Sequence, residues 1–132
     1  MELTENEGAP ASVTSINLIA EVGEIEELWS PRVVARVNDS FLKVARVQGE
    51  FVWHAHESED ELFLVLKGRL RIEMEDGTVE LGPGEAFVVP RGVRHNPVAE
   101  EECWLALVEP VETLHTGDII TPRTRTIEEQ VG

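Results

Sequence analysis

Residues 49–68 read GEFVWHAHESEDELFLVLKG, and the rest of the chain is organised around this stretch. Residues i and i+2 of a β-strand point to the same face, so His54 and His56 on one strand are expected to lean towards a single point. The short polar residues 57–60 favour a turn, and the apolar run after them predicts a returning strand. Glu61 opens that strand, so its carboxylate is expected to meet the two imidazoles.

A third histidine follows in residues 84–95, GEAFVVPRGVRH. Pro90 and Gly92 predict a turn, because proline presets one turn dihedral and glycine allows positive φ, and that turn aims His95. Three neutral imidazoles and one carboxylate suit a divalent transition metal and leave coordination positions open for a further ligand. Iron, manganese, nickel, copper and zinc all remain open. The predicted ligands of this metal ion are His54, His56, Glu61 and His95.

The two stretches resemble the paired motifs of the cupin superfamily. The first motif of that family has a glycine, a His-x-His pair, a glutamate and a closing glycine; the second has a glycine, Pro-x-Gly, a histidine and often a later asparagine. The matching residues are Gly49, His54, His56, Glu61 and Gly68 in the first motif and Gly84, Pro90, Gly92 and His95 in the second. Two departures are visible: Gly49 is one residue closer to His54 than is usual, and Ala99 occupies the asparagine position. The resemblance implies a small jelly-roll barrel that binds a metal, and it leaves the reaction open.

The strand pattern indicates an all-β fold independently of the motifs. From residue 32 onward, short apolar runs alternate with turn signals, as in a β-sandwich or barrel. Together with the resemblance, this predicts a small jelly-roll (double-stranded β-helix) barrel over residues 32–110. Residues 1–31 are expected to form an N-terminal arm and one short helix. Residues 111–132 are expected to form a tail that packs on the barrel.

The chain is strongly acidic, and its 132 residues suit a single domain. Its 26 acidic and 11 basic residues give a net charge of −15, which repels phosphate backbones and anionic lipid heads. We therefore expect neither a nucleic-acid partner nor a membrane partner. Cys103 is the only cysteine, and the sequence shows no secretion signal and no apolar run long enough to span a bilayer, so we expect a cytoplasmic protein.

The segments around the motifs carry predictions about shape and assembly. Residues 13–20, with the apolar stretch SINLIA, fit a strand or an extended arm, and residues 21–32, EVGEIEELWSPR, predict one short helix stopped by Pro31. If Glu61 faces the barrel interior, alternation along its strand puts three leucines on the outer face: Leu62, Leu64 and Leu66. Because such a face needs cover, we expect a homodimer, with cover by the chain's own N-terminal segment as the alternative.

Side chains outside the motifs are interpreted as structural. A solvated strand face is the preferred interpretation for three cations on strands that can line the cavity: Lys43, Arg46 and Arg36. By alternation with His54, the aromatic residues Phe51 and Trp53 are expected to point away from the metal. His115, the one histidine outside the motifs, is interpreted as a loop residue.

Two classes of function fit these residues. The first is a metal-dependent enzyme that acts on a small organic molecule, of the dioxygenase type or of the isomerase or lyase type. The second is a non-catalytic cupin module that binds or senses a small ligand. The chain has no tyrosine, so tyrosine is neither a catalytic base nor half of a Cys-Tyr crosslink. Because histidine binds metal only when it is neutral, we expect the metal to be lost below about pH 6.

Overall fold

The computed structural model describes residues 14–113, 117 and 126–131. The predicted arm, residues 1–12, and His115 lie outside these described residues. The elements follow in the order α1 (Leu18–Gly23), β1 (Arg32–Val37), β2 (Ser40–Glu50), β3 (Glu61–Lys67), β4 (Leu70–Met74), β5 (Gly77–Leu81), β6 (Ala86–Val89), β7 (His95–Pro110) and α2 (Ile127–Val131).

The long strand β7 joins the parts of the fold. It pairs with β2 over most of its length, from Ser40↔Pro110 to Glu50↔Val98. Its second half also pairs with β3, and its first half with β4. All these pairings are antiparallel, and the sheet runs in the order β1-β2-β7-β3-β6, with β4 and β5 as a hairpin on β7. The chain thus forms the predicted jelly-roll, in which one strand bends across both halves.

Strand β3 shows how the sequence pattern selects the interior of the barrel. Glu61, Phe63 and Val65 are buried, whereas the alternate leucines are only partly buried. This alternation agrees with the prediction. The inner face of the barrel forms the main core from Trp29, Ala45, Val47, Phe63, Val65, Leu70, Ile72, Leu81, Val89, Ala99, Cys103, Leu105 and Leu107.

A smaller apolar cluster lies on the outside of the sheet, under α1. Its buried members are Val22, Ile25 and Val44, and Leu66 packs against them with other partly buried side chains. In the alternative to a homodimer, the chain's own N-terminal segment covers the outer leucines. Here it covers one of the three, Leu66. The homodimer itself stays a prediction.

The N-terminal helix is shorter and begins earlier than predicted. Helix α1 spans Leu18–Gly23, and its N-cap Asn17 accepts a hydrogen bond from the amide of Ala20 through Oδ1 at 3.0 Å. The predicted single short helix before the barrel is therefore confirmed, but its predicted bounds, residues 21–32, are wrong, and residues 18–20 are helical rather than part of a strand or extended arm over residues 13–20. Both described helices, of six and five residues, are too short to cross a bilayer.

The chain leaves the helical path after α1 because Trp29 is anchored to β2. The Trp29 amide donates to the carbonyl of Arg46 at 2.9 Å, and its indole Nε1 donates to the carbonyl of Gln48 at 2.9 Å. Its φ of 59° lies in the left-handed region, which is unusual for an aromatic residue. These tertiary contacts override the helical spacing of the segment.

Candidate metal centre

The four predicted ligand residues converge at one buried point. The ligand atoms of His54, His56, Glu61 and His95 all lie within 4.8 Å of one another. His56 Nε2 is 3.1 Å from Glu61 Oε1, and His95 Nε2 is 3.6 Å from the same oxygen. The ring centroids of His54 and His95 are 4.3 Å apart. Because each of the four residues is at most 4% exposed, the cluster is shielded from bulk water.

The chain reaches the first two histidines by a path that differs from the prediction. Residues 51–60 form no regular strand, and His54 makes an isolated antiparallel bridge to His95. The amide of His54 donates to the carbonyl of His95 at 3.0 Å, and the reverse bond measures 2.9 Å. The prediction that His54 and His56 share a strand is therefore wrong. The two rings nevertheless approach each other, with centroids 5.0 Å apart.

The turn before His95 is attached to the first motif. The Gly92 amide donates to the carbonyl of His56 at 2.8 Å, and the Val93 amide closes the turn on the carbonyl of Pro90 at 3.2 Å. Gly92 has a φ of 81°, a conformation that glycine adopts without steric cost. The turn thus sets the position of His95 relative to His56, as predicted.

Hydrogen bonds orient two of the rings. His54 Nδ1 lies 2.9 Å from the carbonyl of Val52, and His95 Nδ1 lies 2.9 Å from the carbonyl of Val93. Since a carbonyl only accepts, each Nδ1 donates, and each Nε2 keeps its lone pair. His95 Nε2 is buried and has no hydrogen-bond partner among the described residues. A buried lone pair without a donor is suited to a metal ion, so this donor set fits the predicted cofactor.

Burial also holds His54 in the neutral form that a metal requires. It lowers the pKa of His54 from 6.5 to about 4, and the nearby His95 adds to the shift. The imidazole therefore needs no deprotonation to bind a metal ion near neutral pH.

The same shift predicts that the metal-free protein loses stability in acid. Between pH 6.5 and about 4 the unfolded chain protonates His54 and the folded chain does not, so the free energy of unfolding falls as pH falls. The loss attributable to His54 is about 3 kcal/mol across this window. Urea unfolding of the metal-free protein at several pH values measures it. In His54→Gln, which cannot titrate, the slope should be shallower, and equal slopes for both proteins would contradict the prediction.

Two buried carboxyl groups meet beside the cluster. Burial alone raises the pKa of Glu61, but the neighbouring polar groups of Glu109, His56 and His95 outweigh it and hold this pKa well below its ordinary value. Burial, followed by the Glu61 charge, raises the pKa of Glu109 well above its ordinary value. Of the two carboxyl groups, Glu61 thus favours the ionised form, as a metal ligand must, and Glu109 favours the protonated form.

The sequence reasoning missed a buried cation next to this pair. Lys43, interpreted as part of a solvated face, is completely buried, and its Nζ lies 2.6 Å from Glu109 Oε2. The ammonium also donates to Gln130 Oε1 in α2. A signal was available, because alternation along β2 puts Lys43 on the same inner face as Ala45 and Val47. The prediction of solvent exposure for Lys43 is wrong.

A small apolar cavity adjoins the cluster. Its volume is about 30 Å³, room for about two water molecules. The described residues that line it are Trp29, Pro31, Ala45, Val47, Phe51, His54, Glu61, Phe63, Pro97, Leu105 and Leu107. Within this lining only His54 and Glu61 are titratable. Neither Arg36 nor Arg46 belongs to it, so the cavity wall carries no positive charge from these strands.

Phe51 faces the cluster, contrary to the prediction. Its ring meets the ring of His54 edge-on, with centroids 5.6 Å apart, and stacks on Trp29 at 4.7 Å. The alternation argument fails here because residues 51–60 are not a regular strand. Trp53 is exposed, in agreement with its predicted orientation.

Comparisons with known proteins agree with this architecture. A family model described as "Cupin domain" matches residues 41–109. A cupin-2 domain containing protein from Shewanella frigidimarina is 44% identical, with a TM-score of 0.70, and the match covers 72% of this chain and 93% of that one. Protein NMB1881 from Neisseria meningitidis is 30% identical, with a TM-score of 0.67 and coverage of 74% and 99%. The uncharacterized protein YdbB of Bacillus subtilis (strain 168) is 36% identical over 80 residues, which are 60% of this chain and 71% of YdbB.

Proposed function

The chain belongs to the cupin family, and we propose that it is a metal-dependent oxidoreductase of the dioxygenase type that acts on a small, largely apolar molecule. The proposed ligands of the metal ion are His54, His56, Glu61 and His95, whose ligand atoms are clustered and buried. When bound, the ion supplies open coordination positions for oxygen atoms of the substrate and for O₂.

The make-up of the cavity is the observation that carries this proposal. An isomerase or lyase moves a proton with a positioned acid or base of the protein. In the described lining of the cavity, the only titratable side chains are His54 and Glu61, and both are proposed ligands. Chemistry between the substrate and O₂ at the metal needs no further proton-transfer group in that wall, so the dioxygenase type is favoured.

The cavity also favours a class of substrate. Its wall is aromatic and aliphatic, with the stacked pair Trp29 and Phe51 on one side, so it receives an apolar group and excludes water from the cluster. The volume of about 30 Å³ is about a tenth of that of a pocket for a drug-sized ligand. We therefore propose a molecule of few heavy atoms that presents oxygen to the metal and carbon to the wall.

Oxygen uptake tests the proposal. The full chain is loaded with Fe²⁺ under anaerobic conditions and mixed with small apolar dicarbonyl compounds, and dissolved O₂ is then followed with an electrode. We expect uptake that requires both iron and the compound and that disappears in His56→Ala. Turnover of such compounds without O₂ would contradict the dioxygenase type and favour the isomerase or lyase type.

A non-catalytic binding module is the second candidate, because a small apolar cavity also suits a protein that only holds its ligand. The two candidates differ in the same experiment. Binding of a compound to the metal-loaded protein, detected by calorimetry, without any change in the compound would favour the binding module.

A further inference from the structure

Lys43 is an ammonium group buried in the interior of the barrel. Its side chain and that of its partner Glu109 are both 0% exposed, and Nζ lies 2.6 Å from Glu109 Oε2. Burying this ammonium beside Glu109 gives weak net stabilisation, because the charge of Lys43 loses its hydration on folding. Apolar residues of similar size would fill the same space at no electrostatic cost, so the pair suggests a role beyond packing.

Glu109 lies between Lys43 and the metal cluster. Strand pairing puts Leu62 opposite Val108, and one step further along both strands Glu61 is opposite Glu109. Both residues are buried inside the barrel, and the two carboxyl groups are close enough for each to shift the pKa of the other. Glu109 Oε1 is buried and has no hydrogen-bond partner among the described residues.

The lysine reaches this pair from the other side of β7. Lys43 is opposite Leu107 in the pairing of β2 with β7, so it is the diagonal neighbour of Glu109 on the inner face. Gln130 of α2 accepts a hydrogen bond from the same ammonium and is 1% exposed. Three neighbouring strands and the C-terminal helix thus contribute to one continuous polar network, which consists of Gln130, Lys43, Glu109 and Glu61.

We propose that Lys43 and Glu109 are positioning residues that hold the Glu61 carboxylate in place for a metal ion, and that α2 supports them through Gln130. The proposal rests on metal binding by the cluster and extends it. Partners beyond the ligands fix ligand orientation in metal sites, and their loss typically weakens metal binding by about 10- to 100-fold. Because these partners lie on rigid strands, Glu61 is oriented before the metal arrives.

Titration of the metal-free full chain with Co²⁺ tests the proposal, with visible absorption as the readout of the ligands around the ion. Lys43→Met should weaken Co²⁺ binding by about 10- to 100-fold and change the absorption bands. Lys43→Arg, which keeps the positive charge, should recover part of the affinity. The matched control is Lys67→Met, because Lys67 is the only other lysine and is exposed, over the ring of Trp104 at 4.6 Å. This control should bind Co²⁺ like the unmodified protein.

A second variant allows the positioning role to be tested even if Lys43→Met does not fold. If Lys43→Met leaves Glu109 without its partner and fails to fold, Lys43→Met combined with Glu109→Leu removes both buried polar groups and should fold. Glu61 then lacks its support, so the affinity should still fall by about 10-fold or more. Unchanged affinity and unchanged bands in a folded variant would overturn the positioning role alone. Failure of the unmodified protein and of Lys67→Met to bind Co²⁺ would overturn metal binding, and the positioning role with it.

Discussion

Replacing His56 with alanine is expected to abolish stoichiometric metal binding and to leave the barrel folded. The ring contributes one of three imidazoles and faces Glu61 Oε1 at 3.1 Å. Losing a direct ligand should weaken binding by more than the roughly 100-fold that loss of a supporting partner causes. The imidazole does not belong to the apolar core, and the carbonyl of His56, which accepts from the Gly92 amide, is retained in alanine.

Elemental analysis of protein purified without chelator and without an affinity-tag metal measures this loss. The unmodified chain should carry about one transition metal ion, which is the number that a single four-residue cluster holds. His115→Ala is the matched control, because it removes the one histidine outside the cluster. Metal retained at full stoichiometry in His56→Ala would contradict the proposed ligand set. Loss of the folded state in that variant, seen by circular dichroism, would show instead that the metal is structural.

The positions of the metal-binding candidates could be predicted from spacing, although the local structure could not. The two histidines are separated by one residue, so any extended path brings their rings to one side, whether or not the segment is a regular strand. The isolated bridge between His54 and His95 brings the histidines of the two motifs together, although residues 51–60 do not form the predicted strand. Convergence was therefore predictable, whereas the orientation of Phe51 depended on regular alternation and was predicted wrongly.

Features that depend on tertiary contacts were not predictable from local patterns. The apolar spacing of residues 21–32 is helical, but α1 ends at Gly23, because Trp29 hydrogen-bonds to the backbone of β2. The sequence favours a solvated strand face for Lys43, and lysine is indeed seldom buried without a partner. Its partner, Glu109, is 66 residues away in sequence, and only the register of β2 with β7 brings the two together.

The two motif glycines Gly68 and Gly84 are expected to differ in their tolerance of alanine. Both adopt positive φ, 88° and 82°, where an L-residue costs about 1–2 kcal/mol. At Gly68 an added Cβ would also lie 2.7 Å from the carbonyl oxygen of Glu102 and 3.1 Å from Cys103 Cα. At Gly84 it would meet no atom of the described part of the chain within 4 Å.

Gly84→Ala should therefore lower the free energy of unfolding by about 1 kcal/mol through backbone strain alone. Gly68→Ala should lower it by about 3 kcal/mol, because overpacking typically adds about 1–3 kcal/mol and the obstructing atoms belong to backbone that cannot rotate away. Urea unfolding of both metal-free variants at the same pH gives the comparison. Equal losses would show that the turn between β3 and β4 relaxes away from β7, and that the shared φ alone explains why glycine occupies both positions.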